Sequence, residues 1–125
     1  MHRILLRTVV IDAPSDTHDR TRDFWTAALA AQPRRGTKYP EYHVLEQAAT
    51  TGTVMVQDVG AAVARVHLDI ETDDIEAEVS RLLAVGAAEV ERHDGWVVLR
   101  DPAGLLFCVV PGEGADFAAL ATTVE

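Results

Sequence analysis

Residues 65–110 read RVHLDIETDDIEAEVSRLLAVGAAEVERHDGWVVLRDPAGLLFCVV. The segment opens with Val66, Leu68 and Ile70 alternating with His67, Asp69 and Glu71. Alternation of this kind defines a strand with one aliphatic and one polar face. A helix follows, with Asp73 as expected N-cap and Glu76 in the capping-box position. Ile75, Val79, Leu82 and Leu83 form a helical stripe that covers the aliphatic face, and Gly86 stops the helix. His67 and Asp69 therefore point away from the helix. Ala88 to Arg92 is a short strand. Asp94-Gly95 then forms a tight hairpin into Trp96–Arg100, because a type I′ turn needs positive φ. Asp101-Pro102-Ala103-Gly104 fits a type I turn, and Leu105 to Val110 is an apolar strand. The order is β-α-β-β-β.

The first half is a looser copy. Ile4 to Ile11 is a strand, and Asp12 to Asp16 is expected to be a loop. Asp16 or Thr17 caps a helix running through Ala31, with Pro33 ending it. Its expected buried stripe is Thr21, Phe24, Trp25, Ala28 and Leu29. Pro33 to Pro40 is a basic connector with room for a short edge strand. Tyr42 to Glu46 and Thr51 to Gln57 are strands joined by a loop at Ala48 to Gly52. Val9-Val10-Ile11-Asp12 lines up with Val66-His67-Leu68-Asp69, an internal repeat of about 55 residues. Val59 to Ala64 links the halves. After Gly112 comes a tail with a short helix expected over Asp116 to Leu120.

A length of 125 residues suits one domain of ordinary size. No apolar run approaches the ~20 residues of a membrane span, and Met1-His2-Arg3 leads straight into a strand. The expected location is the cytoplasm. A net charge of −9 argues against a nucleic-acid partner. Residues 61–125 carry four basic and thirteen acidic side chains against seven of each in residues 1–60, which reads first as a solvated acidic face. Cys108 is the single cysteine, so an intrachain disulfide and a cysteine-cluster zinc site are both excluded.

RVHLDIETDD, the glycine-ended helix and WVVLRDPAGLLFCVV together resemble the second module of the glyoxalase-like branch of the vicinal oxygen chelate superfamily. VVIDAP followed by DFWTAAL resembles its first module. The resemblance spans roughly residues 4–112. It implies an α+β fold in which two βαβββ modules, about residues 3–60 and 64–112, curl a mixed sheet around a cavity. It also implies a homodimer. Metal-using members of the superfamily take ligands from the first and last strand of each module. Carried over, those positions are Val10 (or Thr8 in a shifted register), Met55 or Gln57, His67, and Cys108 where such members have a glutamate. A hard cation wants carboxylate oxygens, so no metal and no cofactor is expected.

The expected cavity residues are Val10, Tyr42, Met55, Gln57, His67, Asp69, Trp96 and Cys108. His67 is either a structural histidine or a ligand contact and general base, with Asp69 as a possible orienting carboxylate. Cys108 reads as a small buried hydrophobe. Trp96 and Tyr42 are either aromatic walls for a flat ligand or packing groups. Three functions follow: a metal-independent binder of a small organic molecule, a metal-free isomerase or lyase using His67, and a scaffold whose cavity is filled by its own side chains.

Overall fold

A computed structural model describes residues 1–48 and 52–125. The chain forms β1 (His2–Ala13), α1 (His18–Ala28), β2 (Gln32–Arg35), β3 (Tyr42–Glu46), β4 (Thr53–Asp58), β5 (Arg65–Thr72), α2 (Ile75–Ala84), β6 (Ala88–His93), β7 (Trp96–Arg100), β8 (Leu106–Pro111), α3 (Gly114–Leu120) and β9 (Thr122–Val124). Its residues fall into two compact units: Thr8–His67, and Leu68–Glu125 together with Met1–Arg7. These are called the first and second unit below. The βαβββ order occurs twice, which makes the fold α+β as the sequence implies.

In the first unit the strands lie in the order β2-β3-β4-β1. β1 and β4 are parallel, with Val10 opposite Met55 and Asp12 opposite Gln57. β3 runs antiparallel to β4, with Tyr42 opposite Gln57, and β2 runs antiparallel to β3. Ala13, Ala31, Leu45 and Val56 form the core, with Ile11, Val54, Trp25 and Leu29 packed against it. The odd-numbered β1 residues and even-numbered β4 residues thus face α1. Alternation sends Val10, Asp12, Met55 and Gln57 to the opposite face.

Three local expectations need correction in this unit. α1 ends at Ala28 rather than Ala31, because Ala30 adopts φ 53° and turns the chain before Pro33, which already belongs to β2. Phe24 is 62% exposed and Ala28 is also exposed. A helix this short touches the sheet along a narrow line, so His18, Thr21, Trp25 and Leu29 turn inward while Phe24 sets its ring edge-on to Trp25. β1 continues through Asp12 to Ala13, where a loop was expected, because β4 offers partners as far as Asp58. The expected loop at Ala48–Gly52 and the start of its strand fall partly on residues 49–51, which lie outside the described residues.

The second unit repeats the pattern. β5 and β8 are parallel, while β7 is antiparallel to both β8 and β6. Val79 of α2 packs on Val97, Leu99, Phe107 and Val109, with Leu68, Ile70, Ile75 and Leu82 around them. The N-cap of α2 is Asp74, not Asp73: its Oδ1 accepts the Ala77 N–H at 3.0 Å. Asp73 instead accepts from the Arg3 backbone N–H and from its guanidinium, and Glu76 pairs with Arg92. At the other end Ala87 N–H bonds Leu82 C=O and Gly86 N–H bonds Leu83 C=O, a Schellman closure that needs the positive φ of Gly86. Both glycine turns close, with His93 opposite Trp96 and Gly104 N–H on Asp101 C=O, but the Asp94-Gly95 turn is not the expected type I′, because only Gly95 takes positive φ.

The tail is docked. β9 pairs antiparallel with the start of β1, His2 opposite Val124, and Phe117 of α3 is buried. Gly112 makes room for that ring: a Cβ there would lie 2.5 Å from Phe117 ring carbons. Gly112→Ala is therefore expected to destabilise the protein by about 1–3 kcal/mol through overpacking. A urea-melt midpoint equal to wild type would show that Phe117 is not seated there.

Candidate functional site

The face of the first unit's sheet opposite α1 collects five of the expected residues. Val10 of β1 is fully buried, and its register partner Met55 is half-buried. Gln57 lies between Asp12 on one side and Tyr42 on the other, both as direct cross-strand neighbours. Tyr42 also sets its ring edge-on to Tyr39 at 5.9 Å. His67, at the end of this unit, is 7% exposed. Its Nδ1 lies 2.8 Å from Oδ2 of Asp12.

Asp12 is the residue the sequence reading missed. It is 1% exposed, and its Oδ2 also accepts from Arg65 Nε at 3.2 Å. The carboxylate against His67 Nδ1 is that of Asp12, which the sequence reading did not consider. The repeat carried the signal, since it placed Asp12 in register with Asp69 and hence on a strand. The chemistry of the pair is specific. A carboxylate accepting from Nδ1–H fixes the ring orientation and the tautomer. The buried carboxylate is compensated by the Arg65 cation, which stays half exposed to solvent. Asp12 Oδ1 is buried and has no hydrogen-bond partner among the described residues.

The remaining expected residues belong to the second unit. Asp69 stands opposite Cys108 in the parallel β5–β8 register, and Val98 stands opposite Cys108 on the other side. Cys108 is half-buried rather than a buried core group. Phe107 and Val109 take the α2 side of β8, so alternation turns Cys108 the other way, and a continuous apolar run hides this. Trp96 stacks on its hairpin partner His93 with ring centres 4.4 Å apart and planes 10° apart.

The family model described as Glyoxalase-like domain matches residues 8–110. The chain therefore belongs to the glyoxalase-like domain family, within the vicinal oxygen chelate superfamily. The fold is similar to that of a hypothetical protein from Bacillus halodurans, with a TM-score of 0.64 at 12% identity over 90% of this chain and 96% of that one. It is also similar to methylmalonyl-CoA epimerase from Mycobacterium tuberculosis, with a TM-score of 0.51 at 16% identity over 91% of each chain. No curated protein sequence matches the chain.

The metal positions that the resemblance implies are Val10 or Thr8, Met55 or Gln57, His67, and Cys108. Val10 and Met55 face each other in the β1–β4 register and supply neither oxygen nor nitrogen. The imidazole and the thiol are soft or borderline donors. Val10 and Met55 cannot serve as ligands to Mg²⁺ or Mn²⁺, which take oxygen ligands.

Proposed function

We propose that the protein binds a small organic molecule, without a metal, on the sheet face that carries Val10, Tyr42, Met55, Gln57 and the Asp12–His67 pair. One observation carries this reading: a buried carboxylate holds His67 Nδ1 at 2.8 Å on a face otherwise lined by apolar and amide groups. Binding sites combine such apolar walls with a few fixed polar groups. The working form is a homodimer. His67→Ala is expected to weaken ligand binding at least tenfold, and Asp12→Asn several-fold, because Nδ1 then loses its charged acceptor. Titration of the ligand recovered from purified protein, followed by tryptophan fluorescence, measures both. Unchanged affinity in both variants would rule the pair out as the polar anchor.

The same pair supports a second reading, a metal-free isomerase or lyase with His67 as general base. A base of this kind removes a carbon-bound proton through Nε2 and returns it to the product, and contributes about 10²–10⁴ in rate. Incubating the ligand with wild-type protein in D₂O distinguishes the readings. Deuterium entering the ligand only when His67 is present supports catalysis. A ligand that binds saturably and stays unlabelled supports binding alone.

A further inference from the structure

The α1 side of the first unit's sheet holds a second group of polar side chains, away from the Asp12–His67 face. His18 opens α1 and His43 lies on β3. With Asp19, Arg22, Arg35, Glu41 and Asp58 they line a polar cavity of about 530 Å³. The two imidazole ring centres lie 5.1 Å apart, with planes tilted by 41°. His18 is 5% exposed, and its Nε2 is buried with no hydrogen-bond partner among the described residues. The same holds for Nδ1 of His43. A neutral imidazole tolerates this, because its one N–H sits on the other nitrogen and only a lone pair is buried. For His18 that other nitrogen is Nδ1, which lies 3.4 Å from Asp19 Oδ1. An imidazolium donates from both nitrogens, so a proton added to either ring here buries an N–H against no acceptor.

The charges around the pair oppose that proton as well. Arg22 and His18 of α1 and Arg35 of β2 act on His43 against a positive charge, while Asp19 acts the other way. Burial first, and then those three groups, hold the His43 pKa below its ordinary value. Glu41 before β3 and Asp58 at the end of β4 complete the lining, with Asp58 already held by Ser15 Oγ and the Gly60 N–H. His18 stands at the first position of α1, where the helix dipole disfavours a cation. Against these forces α1 has little to hold it. It is eleven residues long, too short to be stable as a helix without packing, and it meets the core through Trp25, with Leu29 at its C-cap.

We propose that the His18–His43 contact is a pH-sensitive latch: α1 stays docked on the first unit's sheet while both rings are neutral, and acidification releases it. Once α1 leaves, His43 regains its ordinary pKa of about 6.5, so the released state takes the proton more readily and docking weakens as pH falls below that value. The proposal is independent of the small-molecule reading, because its residues lie on the other face of the sheet. The test is hydrogen exchange of the full-length protein, read by mass spectrometry on peptides from α1 and α2 between pH 7.5 and pH 5.0 and corrected for the intrinsic pH dependence of exchange. The expected result is that opening of α1 rises about tenfold across this range while α2 keeps its protection, and that the rise disappears in His18→Gln/His43→Gln. Because His18 is buried and that double variant can fail to fold, histidine ring ¹⁵N spectra of the wild type give a reading free of any variant: His43 should titrate below its ordinary pKa, together with the loss of α1 protection. Protection of α1 unchanged down to pH 5.0, loss of α1 and α2 together, a response that survives in the double variant, or titration of His43 above its ordinary pKa would each overturn the proposal.

Discussion

Leu99→Ala is expected to lower the unfolding free energy by about 3–5 kcal/mol. Leu99 is completely buried, and it sits between Phe107 on β8 and Val79 of α2 in the same apolar cluster. Truncation removes its transfer free energy and leaves a cavity that a sheet pinned on both sides closes poorly. Chemical denaturation at constant m-value measures the loss. A change below about 1 kcal/mol would mean that the cluster around Leu99 is not a packed core.

Glu78→Ala is expected to cost about 3 kcal/mol, nearly as much, through electrostatics instead of packing. The Glu78 carboxylate is fully buried on α2. It lies 2.7 Å from His2 Nε2 and accepts from Arg81 Nε and NH2 at 2.8 Å each. Burial pushes its pKa up, but the hydrogen bonds from Arg81 and His2 and their charges outweigh that, so the net shift is downward. A depressed carboxylate stabilises the fold above its unfolded pKa, near 4.3, and that contribution disappears as pH falls through the folded value. The gap in stability between wild type and Glu78→Gln should accordingly be full at pH 6–7 and shrink below about pH 4. A gap independent of pH would show that Glu78 is not charged in the folded protein.

What the sequence disclosed follows from how local each feature is. The glycine stop, both glycine turns and three of the four α2 stripe residues, Ile75, Val79 and Leu82, depend on residues a few positions apart and form, while Leu83 stays exposed and the Asp94-Gly95 turn is not type I′. The N-cap differs by one residue because Arg3, remote in sequence, takes Asp73 for itself. Phe24 was misplaced because apolar character alone does not report how narrow a contact a short helix makes. Cys108 was misplaced because an apolar run conceals which of its residues face a helix.

The candidate site shows the same limit more sharply. Val10, Met55 and Gln57 came from the resemblance, and the β1–β4 register is what sets Val10 opposite Met55. The partner of His67 was not legible, since Asp12 stands 55 positions away in sequence and was read as a loop residue. Strand register brings Asp12 to Gln57, and the fold then brings it to His67. The unpartnered nitrogens of His18 and His43 have no sequence signature at all, because neither residue belongs to a spaced motif.

The most direct test of the central reading is native mass spectrometry of gently purified wild-type protein, before and after chelation with EDTA, beside His67→Ala. The reading predicts a dimer whose bound organic mass survives chelation and is lost or sharply reduced in His67→Ala. Loss of the organic mass together with a metal ion on chelation, or its full retention in His67→Ala, would contradict it.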